Sequence, residues 1–173
     1  NCILQGSTGT TLTDTLLKLS DLNQKMKELL QPELKRMPYI SWNSSETFSF
    51  STGSAWFDYH FSNQTLNLFN KTDEEAENAD MAPQTRFIAY TIKNNLFVSD
   101  GKSQFAVTTD QNPGIVNGQS VHRNEFGISK GTFWSPRGNL LAFYRMDETM
   151  VTDYPLVDVT ERVAKVNHIK YPM

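Results

Sequence analysis

Residues 86–110, RFIAYTIKNNLFVSDGKSQFAVTTD, decide the fold class. They contain three short runs rich in aromatic and β-branched residues, separated by polar turns at residues 93–95 and 100–102. Runs of this length and composition are typical of strands, and Asn and Gly adopt the backbone conformations that tight hairpin turns require. The stretch therefore predicts an antiparallel meander of three short strands.

A related hairpin follows at residues 131–148, GTFWSPRGNLLAFYRMDE, where one strand leads through a Ser-Pro-Arg-Gly turn into another. Upstream, residues 39–70 hold more aromatic runs between polar turns. The segments between these units, residues 71–85 and 111–130, are predicted to be an acidic solvated linker and a long loop. Short antiparallel strands with glycine turns fit a sandwich, a barrel or propeller blades, and the repeated hairpin unit favours blades.

The length of the chain limits how much of a propeller it can hold. Since a blade spans about 40–50 residues, the 173 residues suffice for about two to three blades after an amino-terminal helix. A closed propeller needs at least about four blades. We therefore predict a mainly β chain that forms a partial β-propeller of two to three antiparallel blades.

The amino-terminal part of the chain differs from the rest in composition and in the spacing of its apolar residues. Residues 1–15 are rich in Thr, Ser and Gly without a sustained period, and they predict a flexible arm. Residues 21–30 place apolar side chains at helical spacing, with Ser20 as the predicted N-cap and Pro32 as the stop. One short amphipathic helix is therefore expected before the strands begin.

Composition excludes several classes of protein. The chain has 16 basic and 19 acidic residues, a formal charge of -3, and no basic run interleaved with aromatics, so nucleic acid is not an expected partner. No apolar run approaches the roughly 18 residues that a membrane-spanning helix needs, so no membrane span is predicted. The single cysteine, Cys2, cannot form an internal disulfide.

Catalytic and metal-binding motifs are not predicted within this chain. We identify no Gly-x-Ser-x-Gly elbow at a strand-to-helix turn, which a serine hydrolase of the α/β type uses to present its nucleophile. His60, His122 and His168 are widely separated and have no nearby Cys partner. The chain is therefore expected to contain no catalytic triad, no metal site and no cofactor site.

A longer run carries a resemblance to a known family. Residues 124–158, NEFGISKGTFWSPRGNLLAFYRMDETMVTDYPLVD, followed by IKYPM at the end of the chain, resemble the amino-terminal β-propeller of dipeptidyl peptidase IV-like serine exopeptidases. Within that family they look most like prolyl tripeptidyl peptidases of the Bacteroides and Porphyromonas type. The match extends over about residues 86–173. It implies that residues 16–173 are the helix and first blades of such a propeller, with the catalytic α/β-hydrolase domain outside this chain.

The resemblance also implies a binding site. In this family a propeller carboxylate binds the free amino terminus of the peptide substrate, and dipeptidyl members generally have two adjacent glutamates at that place. The matching pair here is Asn124-Glu125, so Glu125 is expected to bind the ammonium group, with a weaker contribution from Asn124. His122 and Arg123 flank the pair as candidate supporting residues. The departure at Asn124 favours the tripeptidyl branch, and a solvated loop acid is the alternative interpretation of Glu125.

The expected function follows from the resemblance. The chain would be the substrate-gating, amino-terminus-binding part of a serine exopeptidase that releases di- or tripeptides after proline, and it would be non-catalytic alone. Its partners would be a peptide with a free amino terminus and its own carboxy-terminal hydrolase domain. The resemblance implies export to the periplasm, with the cell envelope as a second location.

The sequence is also compatible with one other function and with one other fold. A noncatalytic propeller that serves as a binding or scaffold module could share the blade motif without the site. A small self-contained β-sandwich is a third interpretation of the strand pattern.

A partial propeller leaves a strand edge unpaired, and unpaired edges recruit other strands. A homodimer or strand-exchanged oligomer is therefore predicted for this chain.

Overall fold

The computed structural model describes residues 3–7, 13–121, 126–160 and 162–170. The chain is mainly β, as predicted, and it divides into two compact units, Asn1–Glu74 with Ser99–Ser103 and Glu75–Val98 with Gln104–Met173. In chain order the elements are β1 (Ile3–Ser7), β2 (Thr13–Lys18), α1 (Leu19–Glu28), β3 (Ser41–Trp42), β4 (Thr47–Thr52), β5 (Ala55–His60), β6 (Thr65–Lys71), β7 (Glu77–Met81), β8 (Ile88–Ile92), β9 (Asn95–Ser99), β10 (Gln104–Ala106), β11 (Ile115–Asn117), β12 (Thr132–Trp134), β13 (Leu141–Phe143), β14 (Arg145–Asp147), β15 (Asp153–Asp158) and β16 (Lys165–Lys170).

The first unit contains a four-stranded antiparallel sheet in the order β3-β4-β5-β6. Strands β4 and β5 pair in continuous register from Thr47↔His60 to Thr52↔Ala55. The turn between them contains Gly53 at φ 54°, a left-handed conformation that glycine adopts without steric cost. This up-and-down meander has the strand order of one propeller blade.

Aromatic side chains from β4 and β5 form the core of the first unit. The ring centroids of Phe50 and Phe57 lie 5.1 Å apart, and those of Phe48 and Tyr59 lie 5.3 Å apart, in stacked geometries. All four side chains are buried in one cluster. Burial of each such ring stabilises the fold by about 1.5–3 kcal/mol relative to an exposed ring, so this sheet is held mainly by apolar packing.

Helix α1 buries Leu22 and Met26 in the same cluster, which confirms the predicted amphipathic stripe. The predicted N-cap is wrong, because the helix begins at Leu19 and its cap position is Lys18 in an extended conformation without a side-chain cap. Ser20 lies in the first turn, where its hydroxyl donates to Asp21 Oδ1 over 3.0 Å. Strand β2 runs directly into the helix, so tertiary packing rather than a local cap sets its start. Within the described ranges no helix is long and apolar enough to cross a membrane.

Part of the predicted amino-terminal arm, residues 1–15, is strand. β1 pairs antiparallel with β2, from Ile3↔Lys18 to Ser7↔Thr13, with an irregularity between Leu4 and Gln5. A two-stranded ladder of this kind is held by backbone hydrogen bonds and needs no long hydrophobic period, so the sequence pattern did not reveal it.

The second unit contains the sheet β10-β9-β8-β7. Its strands β8, β9 and β10 confirm the meander predicted from residues 86–110. The fourth strand, β7, corrects the prediction of a linker over residues 71–85, since Glu77–Met81 pairs antiparallel with β8. Most of its side chains are exposed. An edge strand of this kind carries no alternation of apolar and polar residues that a sequence could show.

Two shorter strand pairs complete the described core of this unit. β12 pairs with β13, as the hairpin at residues 131–148 predicted, and β11 pairs with β14. Because β11 lies inside the predicted loop of residues 111–130, that prediction is wrong over Ile115–Asn117, where all three residues are buried. Two four-stranded meanders and these pairs agree with the predicted partial propeller of two to three blades.

Candidate functional site

The predicted site residues His122, Arg123, Asn124 and Glu125 lie outside the described residues. The chain is described up to Val121 and again from Phe126. We call residues 118–131 the site loop, because this segment contains all four residues in sequence. Its described parts show how the two ends of the loop are fixed.

Both ends of the site loop bind the same residue. The backbone N–H of Gly118 donates to Tyr144 O over 2.8 Å, and the N–H of Tyr144 donates to Gly131 O over 2.9 Å. Tyr144 lies between β13 and β14. The two described ends of the loop are therefore held next to each other through Tyr144.

Gly131 brings the two ends of the site loop into direct backbone contact. A Cβ atom at Gly131 would overlap Gln119 O and lie 2.6 Å from Gln119 N. Any side chain at this position would overlap backbone atoms that cannot rotate away. We call this contact between Gly131 and Gln119, together with the two bonds to Tyr144, the neck of the site loop. The neck requires glycine at residue 131.

The amino-terminal end of the site loop is also bonded to the turn between β8 and β9. Gln119 Nε2 donates to Lys93 O over 2.6 Å and approaches Asn94 Oδ1 at 3.3 Å. This is the turn that the sequence predicts within the meander. The turn of the β8–β9 hairpin therefore supports Gln119.

The carboxyl-terminal end of the site loop is bonded to the edge strand β7. Lys130 Nζ lies 3.1 and 3.0 Å from the two carboxylate oxygens of Asp80, and Thr132 Oγ1 donates to Asp80 Oδ2 over 2.9 Å. Trp134 Nε1 donates to the backbone oxygen of Asp80 over 3.0 Å. Asp80 of β7 thus contacts the end of the loop and both the first and the last residue of β12.

A side-chain hydrogen bond joins the two sides of the site loop directly. Ser120 Oγ donates to Ile128 O over 2.8 Å and also lies 3.1 Å from Val121 O. Phe126 and Gly127 both have left-handed backbone conformations, at φ 56° and 74°. Such a conformation costs a non-glycine residue about 1–3 kcal/mol. Phe126 is 84% exposed, so an aromatic side chain lies at the surface directly after Glu125 in the chain.

A charged network lies directly before the site loop. Asn117, which is fully buried, donates from Nδ2 to Asp110 Oδ2 over 3.0 Å and to Asn94 O over 3.1 Å. Arg145 forms an ion pair with Asp110 Oδ1 at 3.0 Å. The hydrogen bond from Asn117 and the interactions with Arg145 lower the pKa of Asp110, since each favours the charged carboxylate. Asp110 therefore keeps its negative charge, and its bonds to Asn117 and Arg145, to a lower pH than an ordinary carboxyl would.

The site loop contains a serine between two glycines. Residues 127–131, GISKG, match the bare Gly-x-Ser-x-Gly pattern. A nucleophile elbow requires that the serine lie on a sharp turn between a strand and a helix. Ser129 is exposed and is followed by strand β12, so the segment lacks the context of an elbow.

No metal centre is found among the described residues. In ranges 3–7, 13–121, 126–160 and 162–170, no three His, Cys, Asp or Glu side chains are grouped so that they could hold a metal ion. His60 Nδ1 is instead 3.1 Å from Thr47 Oγ1 across the first sheet. His168 lies on β16.

Sequence reasoning missed the residues that hold the site loop. Gln119, Tyr144 and Asp80 carry no motif, and each acts through a partner distant in the sequence. Two glycines at the loop ends, Gly118 and Gly131, were the available signal, because a glycine often marks a close backbone approach. The structure adds the supporting contacts, and the role of Glu125 stays a prediction.

The comparisons with known proteins support the family assignment. The family model described as "Dipeptidyl peptidase IV (DPP IV) N-terminal region" matches residues 33–173. Dipeptidyl aminopeptidase B of Saccharomyces cerevisiae is 32% identical over 151 residues, which cover 82% of this chain and 18% of the yeast protein. The present chain thus spans less than a fifth of that relative.

Solved structures similar to this chain are also described as dipeptidyl peptidases. A protein from Bacteroides ovatus described as a dipeptidyl aminopeptidase IV matches 95% of this chain, with a TM-score of 0.78 and 43% sequence identity, over 23% of its own length. Porphyromonas gingivalis dipeptidyl peptidase 4 matches 95% of this chain and 25% of its own, with a TM-score of 0.59 and 21% identity, which supports the fold alone. The chain therefore belongs to the family of dipeptidyl peptidase IV N-terminal regions.

Proposed function

We propose that this chain is the amino-terminal, substrate-binding part of a serine exopeptidase that releases di- or tripeptides after proline. Residues 16–173 form the helix and first blades of its propeller, and Glu125 binds the free amino terminus of the peptide. The observation that supports this proposal most directly is the closed neck of the site loop, residues 118–131. In a chain of this family, the neck fixes both ends of the segment that contains Glu125.

In this proposal, the site selects the peptide bond that is cleaved by its distance from the amino terminus of the substrate. An exopeptidase must count residues from the amino terminus of its substrate, and a fixed carboxylate that pairs with the terminal ammonium sets the distance to the nucleophile. Charge-assisted hydrogen bonds between ammonium and carboxylate are short and about twice as strong as neutral ones. Because the reacting groups are then held in place, part of the entropic cost of the reaction is removed before the chemical step.

The remaining residues of the predicted site have supporting roles in this proposal. Asn124 takes the place of a second glutamate and offers a neutral amide, so the pocket has one negative charge and suits a longer amino-terminal piece. His122 and Arg123 lie beside the pair in sequence and help to hold it. The nucleophile belongs to a hydrolase domain outside this chain, which is therefore inactive by itself, and the whole protein is exported to the periplasm.

The proposal is tested with the full-length parent protein and four peptides. Two have a proline at the second or the third position and a free amine, and two are their amino-acetylated counterparts. We expect release of a di- or tripeptide from the free-amine peptides alone, detected by mass spectrometry, and loss of this activity after treatment with a fluorophosphonate that labels active-site serines. Cleavage of acetylated peptides at the same rate would contradict the proposal.

Self-association is a further part of the proposal. β15 and β16 pair with each other from Asp153↔Lys170 to Asp158↔Lys165. Several apolar side chains on this hairpin are exposed, namely Tyr154, Leu156, Val157 and Val166. Exposed apolar strands favour pairing with another chain. We therefore expect sedimentation velocity of this chain to show a dimer whose fraction rises with protein concentration. A monomer at all concentrations would contradict it.

A further inference from the structure

We propose that a groove in the first unit binds an acidic peptide segment that also carries apolar side chains. The groove is lined by residues 33–39 and by Ser51 and Thr52 at the end of β4, and it encloses about 460 Å³. Binding sites for small ligands occupy about 300–1,000 Å³. We call it the basic groove. It contains none of residues 122–125, so this inference does not depend on the proposed function.

The basic groove has an excess of positive charge. Lys35 and Arg36 are exposed, and neither forms an ion pair with a residue that the structure describes. Glu33 is the one acid in the lining, so two positive charges and one negative charge leave a net charge of +1. A concave surface with one prevailing sign of charge attracts ligands of the opposite sign. The guanidinium of Arg36 can bind a carboxylate through two parallel hydrogen bonds.

The backbone of the basic groove is fixed before a ligand arrives. Asn23 of α1 donates from Nδ2 to Leu34 O over 3.0 Å, and the N–H of Leu34 donates to Asn23 Oδ1 over 2.8 Å. The side chains of Leu34 and Met37 pack against the core cluster of the first unit. Lys35 and Arg36 therefore lie between two anchored residues. Because this segment is already ordered, less conformational entropy is lost when a ligand binds.

The basic groove also has an apolar part. Tyr39 is 94% exposed, and Met37 and Pro38 also line the groove. Tyrosine and arginine are enriched among the residues that dominate binding energies at interfaces. A small inorganic anion would leave the tyrosine ring in water, and a flat membrane surface would contact only the rim of a concave site. A peptide with alternating acidic and apolar residues matches both parts of the lining.

The experiment measures the fluorescence anisotropy of a peptide of alternating Glu and Phe that is titrated with the full-length parent protein. The peptide carries fluorescein on its amino terminus, so it has no free amine for the proposed substrate site. We expect Kd to rise about 5- to 25-fold in the double variant Lys35→Gln and Arg36→Gln, because an exposed ion pair contributes up to about fivefold. Tyr39→Ala should raise Kd by about fivefold.

Two further variants test whether the effect belongs to the groove. Glu33→Gln removes the only acid of the lining and should lower Kd by about two- to fivefold, a gain that general damage to the fold would not produce. Lys102 is an exposed lysine of the same unit outside the groove. Lys102→Gln should therefore leave Kd unchanged. Circular dichroism of all variants should match wild type, since each substituted side chain is exposed.

Several results would overturn the inference. The charge is not recognised if a peptide with Gln in place of Glu binds equally well. The attraction is nonspecific if Lys102→Gln weakens binding as much as the double variant. The groove is a simple anion site if inorganic phosphate displaces the peptide at an equal concentration. It is a membrane contact if vesicles of phosphatidylglycerol, and not the peptide, bind through Lys35 and Arg36.

Discussion

Replacement of Glu125 by Gln in the full-length parent protein is expected to reduce kcat/KM for a free-amine proline peptide by about 30- to 4,000-fold. Removal of one member of a buried ammonium–carboxylate pair costs about 2–5 kcal/mol, and each 1.4 kcal/mol corresponds to about tenfold. Gln has nearly the same shape as Glu, so the change removes charge and leaves packing intact. Steady-state kinetics with free-amine and amino-acetylated peptides measure the effect.

The pattern across substrates distinguishes binding of the amino terminus from general damage. An acetylated peptide has no ammonium group, so its residual turnover should be equal in wild type and Glu125→Gln. Glu46→Gln is the matched control, because Glu46 is an exposed acid in the first unit and should leave both substrates unaffected. Equal losses for free and acetylated peptides would contradict a role for Glu125 in binding the amino terminus.

Replacement of Phe57 by Ala is expected to lower the free energy of unfolding by about 3–5 kcal/mol, the usual cost of truncating a buried aromatic ring. Phe57 is 0% exposed and stacks on Phe50 with a centroid distance of 5.1 Å. The change leaves a cavity in the apolar cluster that contains Phe57, and the surrounding side chains cannot fill it completely. Urea denaturation of this chain, followed by circular dichroism, measures the difference.

A second aromatic residue of the same unit provides the control for this prediction. Tyr39 is 94% exposed, so Tyr39→Ala should change the free energy of unfolding by less than about 0.5 kcal/mol. If the two variants lose similar amounts of stability, the stacked rings of β4 and β5 are not the main support of the first sheet.

The parts of the fold that depend on local chemistry were predictable. Strands β8, β9 and β10 follow from runs of β-forming residues and from turns that contain Asn and Gly. The apolar stripe of α1 was visible because residues on one helix face repeat at a fixed spacing. Its cap at Ser20 was wrong, because β2 continues directly into the helix and leaves no free turn for a capping side chain.

The parts that depend on distant partners were not predictable. Strand β7 has mostly exposed polar side chains and is a strand only because it pairs with β8. β11 is three residues long and is recognisable only through its partner β14. The ion pair of Asp80 with Lys130 joins residues that are 50 positions apart, and no spacing rule connects them.

The sequence by itself determined the mainly β class, the repeated hairpins and, through one linear run, the resemblance that led to Glu125 as a candidate. These features are encoded by neighbouring residues, whose turn propensities and side-chain periods act over a few positions. Only the tertiary structure decided that Gly131 lies against Gln119, that Tyr144 binds both ends of the site loop, and that Ser120 closes it from inside. Those contacts depend on where the chain returns in space, which is set by the packing of whole sheets rather than by any short stretch.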